Sequence, residues 1–215
     1  MPDRCFCESV RERIVRQPSN AISSGAFVVV AMLVLLHSRS STAWRFACAV
    51  FLVGVGSAFF HASLTFWGQT TDVLGMYLVA TFLLLESLSR SRRWSAVNQN
   101  VLYVGGNAVL LALLVVLPSL RRYAFGALVL AILWSEWTHR RRGIVTAPLR
   151  ALTAAVGVLA FGFGAWILDI TRVTCAPDSV WQGHALWHVC GAISAWLAYR
   201  YMTAAVSVAR VRRVR

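Results

Sequence analysis

The sequence predicts an all-α fold, a seven-transmembrane-helix bundle. Two observations predict it. Of 215 residues 58% are hydrophobic and the mean hydropathy is +0.64, which is unusual for a soluble domain. The apolar residues also fall into seven runs near the length of a membrane span, about 20 residues. The connections between runs are short and punctuated by Arg, Ser, Pro and Gly, as turns are.

The runs are 20–37, 44–64, 70–88, 97–117, 123–138, 148–169 and 183–206. The first has a short apolar core behind a basic stretch, with small residues from Ser40 to Ala43, a pattern shared with signal peptides. The polar region before it is long and contains Cys7 and Glu8, which favours a retained span. The second holds Gly54, Gly56 and Ser57, small residues that also permit close helix packing. The third ends near Glu86, which together with Glu136 is expected to meet water or a nearby Arg. The fourth carries Asn107, suited to a hydrogen bond between helices. The fifth is the shortest. The sixth and seventh frame a loop containing Cys175. No soluble domain fits in the remainder, so residues 1–215 read as one membrane domain.

The net charge is +13, and all 21 basic residues are Arg. This excess does not indicate nucleic acid: the arginines lie between apolar runs, and there is no zinc-finger spacing or RNA-binding aromatic motif. They set orientation instead. With seven spans, seven arginines fall on the face of the N-terminus and fourteen on the other. The positive-inside rule then places the N-terminus outside and the C-terminus in the cytoplasm, in an inner-membrane protein of bacterial type. Arg140, Arg141 and Arg142 belong to that orientation signal. Trp67, Trp181 and Trp187 read as an interfacial aromatic belt. Five cysteines occur without a CxxC pair, which argues against a four-cysteine zinc site.

The chemistry is concentrated in a few polar residues within apolar runs. Ionisable side chains there cost roughly 2.5–3.5 kcal/mol each on insertion scales, and they suggest function. His184 and His188 are four apart, on one helix face, and Ser57 and His61 share that spacing. In the expected topology His61, Asp72, His184 and His188 converge at the outer end of three helices, whereas His37 and His139 fall at the other. Three imidazoles with an open fourth position form a catalytic zinc site, and zinc lowers the pKa of its water to about 7. Asp72 can orient that water or accept its proton. Ser57 can donate to a developing oxyanion. The bland readings are a packed histidine for His61, helix packing for Ser57 and a helix-start charge for Asp72. At headgroup depth the set points to hydrolysis of an amide or ester in a membrane lipid.

The pattern Gly54-x-Gly56-Ser57-x-x-x-His61, Gln69-x-x-Asp72 and Gly183-His184-x-x-Trp187-His188 resembles the alkaline ceramidases. Cys7-Glu8 followed by Arg16-Gln17-Pro18-x-Asn20 is similar to bacterial members of that family. The resemblance implies a seven-helix bundle with zinc on His61, His184 and His188. It implies Asp72 as the water-orienting base and Ser57 as an oxyanion group, in hydrolysis of ceramide to sphingoid base and fatty acid. It also implies that Cys7 pairs with Cys175, with Cys5 as the competing partner. Eukaryotic members carry an acidic N-terminal calcium site. Here Cys5, Phe6 and Gln17 replace its Asp, Trp and later Glu. Glu8 alone is a poor calcium site, since calcium takes about 6–8 oxygen ligands.

Two other functions compete with a lipid amidase. A receptor-like seven-helix protein of the wider superfamily, without significant hydrolase activity, needs a cytoplasmic signalling surface, and the loops there are a few Arg-rich residues. A transporter needs polar residues along a path, and here they cluster at one end.

Overall fold

The computed structural model describes residues 6–92 and 94–214, with side chains to residue 205. Arg4, Cys5, Arg93 and Arg215, which entered the orientation count or the disulfide alternatives, lie outside the described residues. All regular structure among the described residues is helical: α1 Pro18–Ser23, α2 Gly25–His37, α3 Ser41–Ser63, α4 Phe66–Ser89, α5 Ala96–Val116, α6 Arg121–Arg141, α7 Arg150–Ile170 and α8 Gly183–Val214. A 3-10 turn, Pro118–Leu120, links α5 to α6. The first expected run is divided at Ser24, but α1 and α2 together form one span-length segment, Pro18–His37.

Five of these segments are long and apolar enough to cross a membrane: Pro18–His37, Ser41–Ser63, Phe66–Ser89, Ala96–Val116 and Arg150–Ile170. The segments α6 and α8 do not reach that apolarity. The first of them begins at Arg121 and Arg122 and ends through Glu136, His139, Arg140 and Arg141, while α8 carries His184, His188 and Arg200.

Helix ends follow local capping. The side chain of Thr65 accepts a hydrogen bond from the Gly68 amide, so α4 starts at Phe66, four residues before the expected run. Asp72 therefore lies in the second turn, and it does not begin the helix as the sequence suggests. Leu64 adopts a left-handed conformation at φ 51°, which ends α3 and lets the chain reverse within two residues.

The core is built from α2, α3, α4 and α8 around Val34, Phe46, Val50, Phe82 and Tyr199. Close approach of α3 and α4 depends on two glycines. A Cβ on Gly56 would sit 2.7 Å from the Thr71 carbonyl oxygen, and one on Gly75 would sit 2.8 Å from the Val53 Cα. Small residues at such crossings let helix backbones meet. That contact sets Ser57 and His61 on α3 beside Asp72 on α4. The pair α6 and α7 is held chiefly by α4 and by α8, rather than by each other.

Several buried polar groups at the other end pair between helices. Arg90, just past the end of α4, forms a salt bridge with Glu136 on α6, and the Tyr201 hydroxyl of α8 donates to Glu136 Oε2 at 2.8 Å. Arg45 reaches Glu86 at 3.9 Å. Asn107 donates to Thr81 Oγ1 on α4 at 2.8 Å, the interhelical bond its position suggests.

Candidate metal centre

His61 lies in the last turn of α3, while His184 and His188 occupy the first two turns of α8. All three are buried, and their ligating atoms lie within 4.8 Å of one another. His61 Nε2 and His184 Nε2 are 3.1 Å apart. A tetrahedral zinc at about 2.05 Å from each nitrogen would hold two of them about 3.3 Å apart, so the spacing fits the ion.

Hydrogen bonding also leaves the correct nitrogens bare. The Gln17 amide donates through Nε2 to the Glu8 carbonyl at 3.1 Å, so its Oε1 faces His61 Nδ1 as an acceptor at 2.8 Å. His61 must then carry its proton on Nδ1, leaving the Nε2 lone pair for the cluster. The Ser23 hydroxyl donates to the Asn20 carbonyl at 2.9 Å and lies 2.8 Å from His188 Nδ1. With its one proton used, Ser23 accepts from His188, whose Nε2 is bare in turn. These partners orient imidazole ligands as metal sites require.

Ser57 sits beside the cluster. Its Oγ is 3.2 Å from His188 Nε2 and accepts from Ser24 Oγ at 3.1 Å. Its hydroxyl dipole also acts on the Asp72 carboxyl. Asp72 is not part of the three-imidazole cluster, but both it and Ser57 line the adjoining cavity.

That cavity has a volume of about 250 Å³ and begins at Ser57, Asp72, His184 and His188. It continues along Met76 and Leu83 of α4, Val129 and Leu133 of α6, Leu159 of α7 and Ala198 of α8. From His188 to Ala198 the helix rises about 15 Å. The walls away from the histidines are almost wholly apolar, which suits an alkyl chain. Trp187 lines this cavity. Trp181 is 89% and Trp67 63% exposed.

An N-terminal strap closes the site from outside the bundle. Cys7 is disulfide-bonded to Cys175. The Cys7 amide donates to Asp169 Oδ2 at 3.0 Å, and the His184 amide donates to Asp169 Oδ1 at 3.3 Å. One carboxylate thus joins the strap, the end of α7 and the start of α8. Phe6 packs its ring 4.1 Å from that of His184. Both carboxylate oxygens of Glu8 accept amides at the start of α1, from Ser19 at 2.7 Å and Asn20 at 2.9 Å.

The structure thus brings together all five residues singled out in the sequence. Sequence reasoning missed Ser23, Ser24 and Asp169, and it noted Gln17 within a family motif and as a replacement in a calcium pattern, without linking it to His61. The available signal was of the same kind as for the histidines: polar side chains inside apolar runs.

A family model described as Ceramidase matches residues 4–213. Alkaline ceramidase 1 of Mus musculus is 27% identical over 204 residues, covering 86% of this chain and 72% of that protein. With the match running nearly end to end and taking in the histidine cluster, Ser57 and Asp72, the chain belongs to the alkaline ceramidase family.

Proposed function

We propose that this chain is a zinc-dependent integral-membrane amidase. It hydrolyses the N-acyl bond of ceramide or a related N-acyl lipid, releasing a fatty acid and a sphingoid base or other amine. The observation that carries this reading is the convergence of three buried imidazoles on the polar end of an apolar cavity that Ser57 and Asp72 also line. Family membership supports it, as does the mouse relative, whose name is that of a ceramidase.

His61, His184 and His188 hold the ion, with Gln17 and Ser23 fixing the tautomers of His61 and His188. Bound there, zinc supplies a Lewis acid and a water acidified to a pKa of about 7. The apolar cavity receives the acyl chain and sets the amide carbonyl beside Ser57. Asp72 takes the proton of the attacking water, then returns it to the departing amine nitrogen, which cannot leave as an anion. The Ser57 hydroxyl donates to the carbonyl oxygen as charge develops on it. Phe6 and the strap keep bulk water from the opposite side. The test is zinc content and fatty-acid release from a panel of N-acyl lipids by the purified full chain. Zinc-loaded protein that releases no fatty acid from any of them is not an amidase.

Ser57→Ala is expected to keep zinc and lose about 10²–10³ in turnover, the cost of one well-aimed oxyanion donor. Unchanged turnover would leave Ser57 as a helix-packing residue beside Gly56.

The bundle spans the membrane seven times, with α6 and α8 completing the five more apolar segments. Glu136 of α6 pairs with Arg90, and His184 and His188 of α8 belong to the histidine cluster. The Arg asymmetry puts the histidine end outside and the C-terminus in the cytoplasm. A reporter fused after Arg215 is expected to be active only in the cytoplasm. An exported reporter reverses the sidedness.

A further inference from the structure

We propose that Arg122 binds an oxyanion at the rim of the cavity, an inference that rests on the amidase reading above. Both Arg121 and Arg122 line the cavity, and Asp72 is the one carboxylate among the described residues that line it. The ceramide headgroup is uncharged, so that substrate gives a lining cation nothing to pair with.

Arg122 is in the first turn of α6, at the same end of the bundle as the histidines. Its guanidinium lies 4.9 Å from the ring centroid of Trp166 on α7. An indole face attracts the cation without using any of its N–H donors. The N–H groups on its edge remain available, in the fork geometry that matches carboxylate, phosphate or sulfonate. Among the described residues no carboxylate or carbonyl oxygen accepts a hydrogen bond from Arg122. Arg122 is exposed at the cavity rim, and it bridges from α6 to Trp166 on α7, two helices that otherwise pack on different neighbours.

The oxyanion has two sources with the same chemistry. It is an anionic headgroup on the N-acyl lipid, or it is the carboxylate that amide hydrolysis creates on the released fatty acid. In the first case Arg122 sets substrate preference, and in the second it sets product retention.

The experiment uses the zinc-loaded full chain in neutral phosphatidylcholine vesicles, as wild type, Arg122→Gln and Arg122→Lys. Substrates are N-palmitoylsphingosine and its 1-phosphate, and inhibitors are palmitate and hexadecanol. If the headgroup is bound, the ratio of kcat/KM for the phosphate over the neutral lipid falls about tenfold in Arg122→Gln, the effect of losing a charge-assisted hydrogen bond. If the product is bound, the inhibition constant of palmitate rises about tenfold relative to that of hexadecanol. Arg122→Lys restores part of either shift, because it keeps the charge and loses the fork. Both ratios staying within twofold of wild type overturns the proposal. Should wild type hydrolyse neither lipid, the amidase reading fails for these substrates. Equilibrium binding of palmitate against hexadecanol to the same three proteins then decides Arg122, with a loss of preference in Arg122→Gln supporting the site and an unchanged preference refuting it.

Discussion

The His184→Ala, His188→Ala double variant is expected to purify without zinc and to release no fatty acid from N-acyl lipids. The two side chains supply two of the three imidazoles, and a single remaining nitrogen on His61 cannot retain a tetrahedral ion. The effect on rate is the largest expected in this protein. A water whose pKa returns from about 7 to about 15.7 loses about eight orders of magnitude in ionisation at neutral pH. The fold has grounds to survive: α8 keeps its packing on α7 and α2, and the strap keeps its disulfide to Cys175. Circular dichroism and non-reducing electrophoresis check this while elemental analysis reads the metal. Full zinc occupancy in the double variant would sink the ligand assignment.

Asp72→Asn is expected to fold, keep zinc and lose about 10²–10⁴ in turnover, the range for a positioned proton acceptor. The substitution preserves size and removes the acceptor. Its placement makes the test cleaner than the sequence alone allowed. The helix begins at Phe66, so the Asp72 carboxyl is beyond the first turn, where the helix dipole favours acids. A stabilising helix-start charge is therefore no longer the competing reading. Near-normal turnover with zinc bound would remove Asp72 from the chemistry.

Much of the bundle was legible because membrane spans announce themselves by length and apolarity. The boundaries that moved were decided by single side-chain interactions, as where Thr65 caps α4. His61, His184, His188, Asp72 and Ser57 were legible because polar groups in apolar runs are expensive, and their spacing put them on common faces. Gln17 and Asp169 were harder. Each acts through a partner distant in sequence: Gln17 on His61 and Glu8, Asp169 on Cys7 and His184. Nothing local in the chain records those pairings. The cavity was not legible at all, since it is the space left where α6 and α7 attach to different helices.

The Cys7–Cys175 bridge gives the site a place in the protein's biosynthesis. It closes a loop of 168 residues, which in the chain-entropy picture removes about 5 kcal/mol of freedom from the unfolded chain. The strap it anchors is made before the α8 histidine that it covers. A growing chain thus holds Gln17 and His61 long before His184 and His188 emerge, and it has no complete site to turn on the lipids into which it is inserting. Assembly of the three histidines and oxidation of the bridge both wait for the segment from Cys175 into α8, so maturation follows the redox state of the compartment that receives the strap.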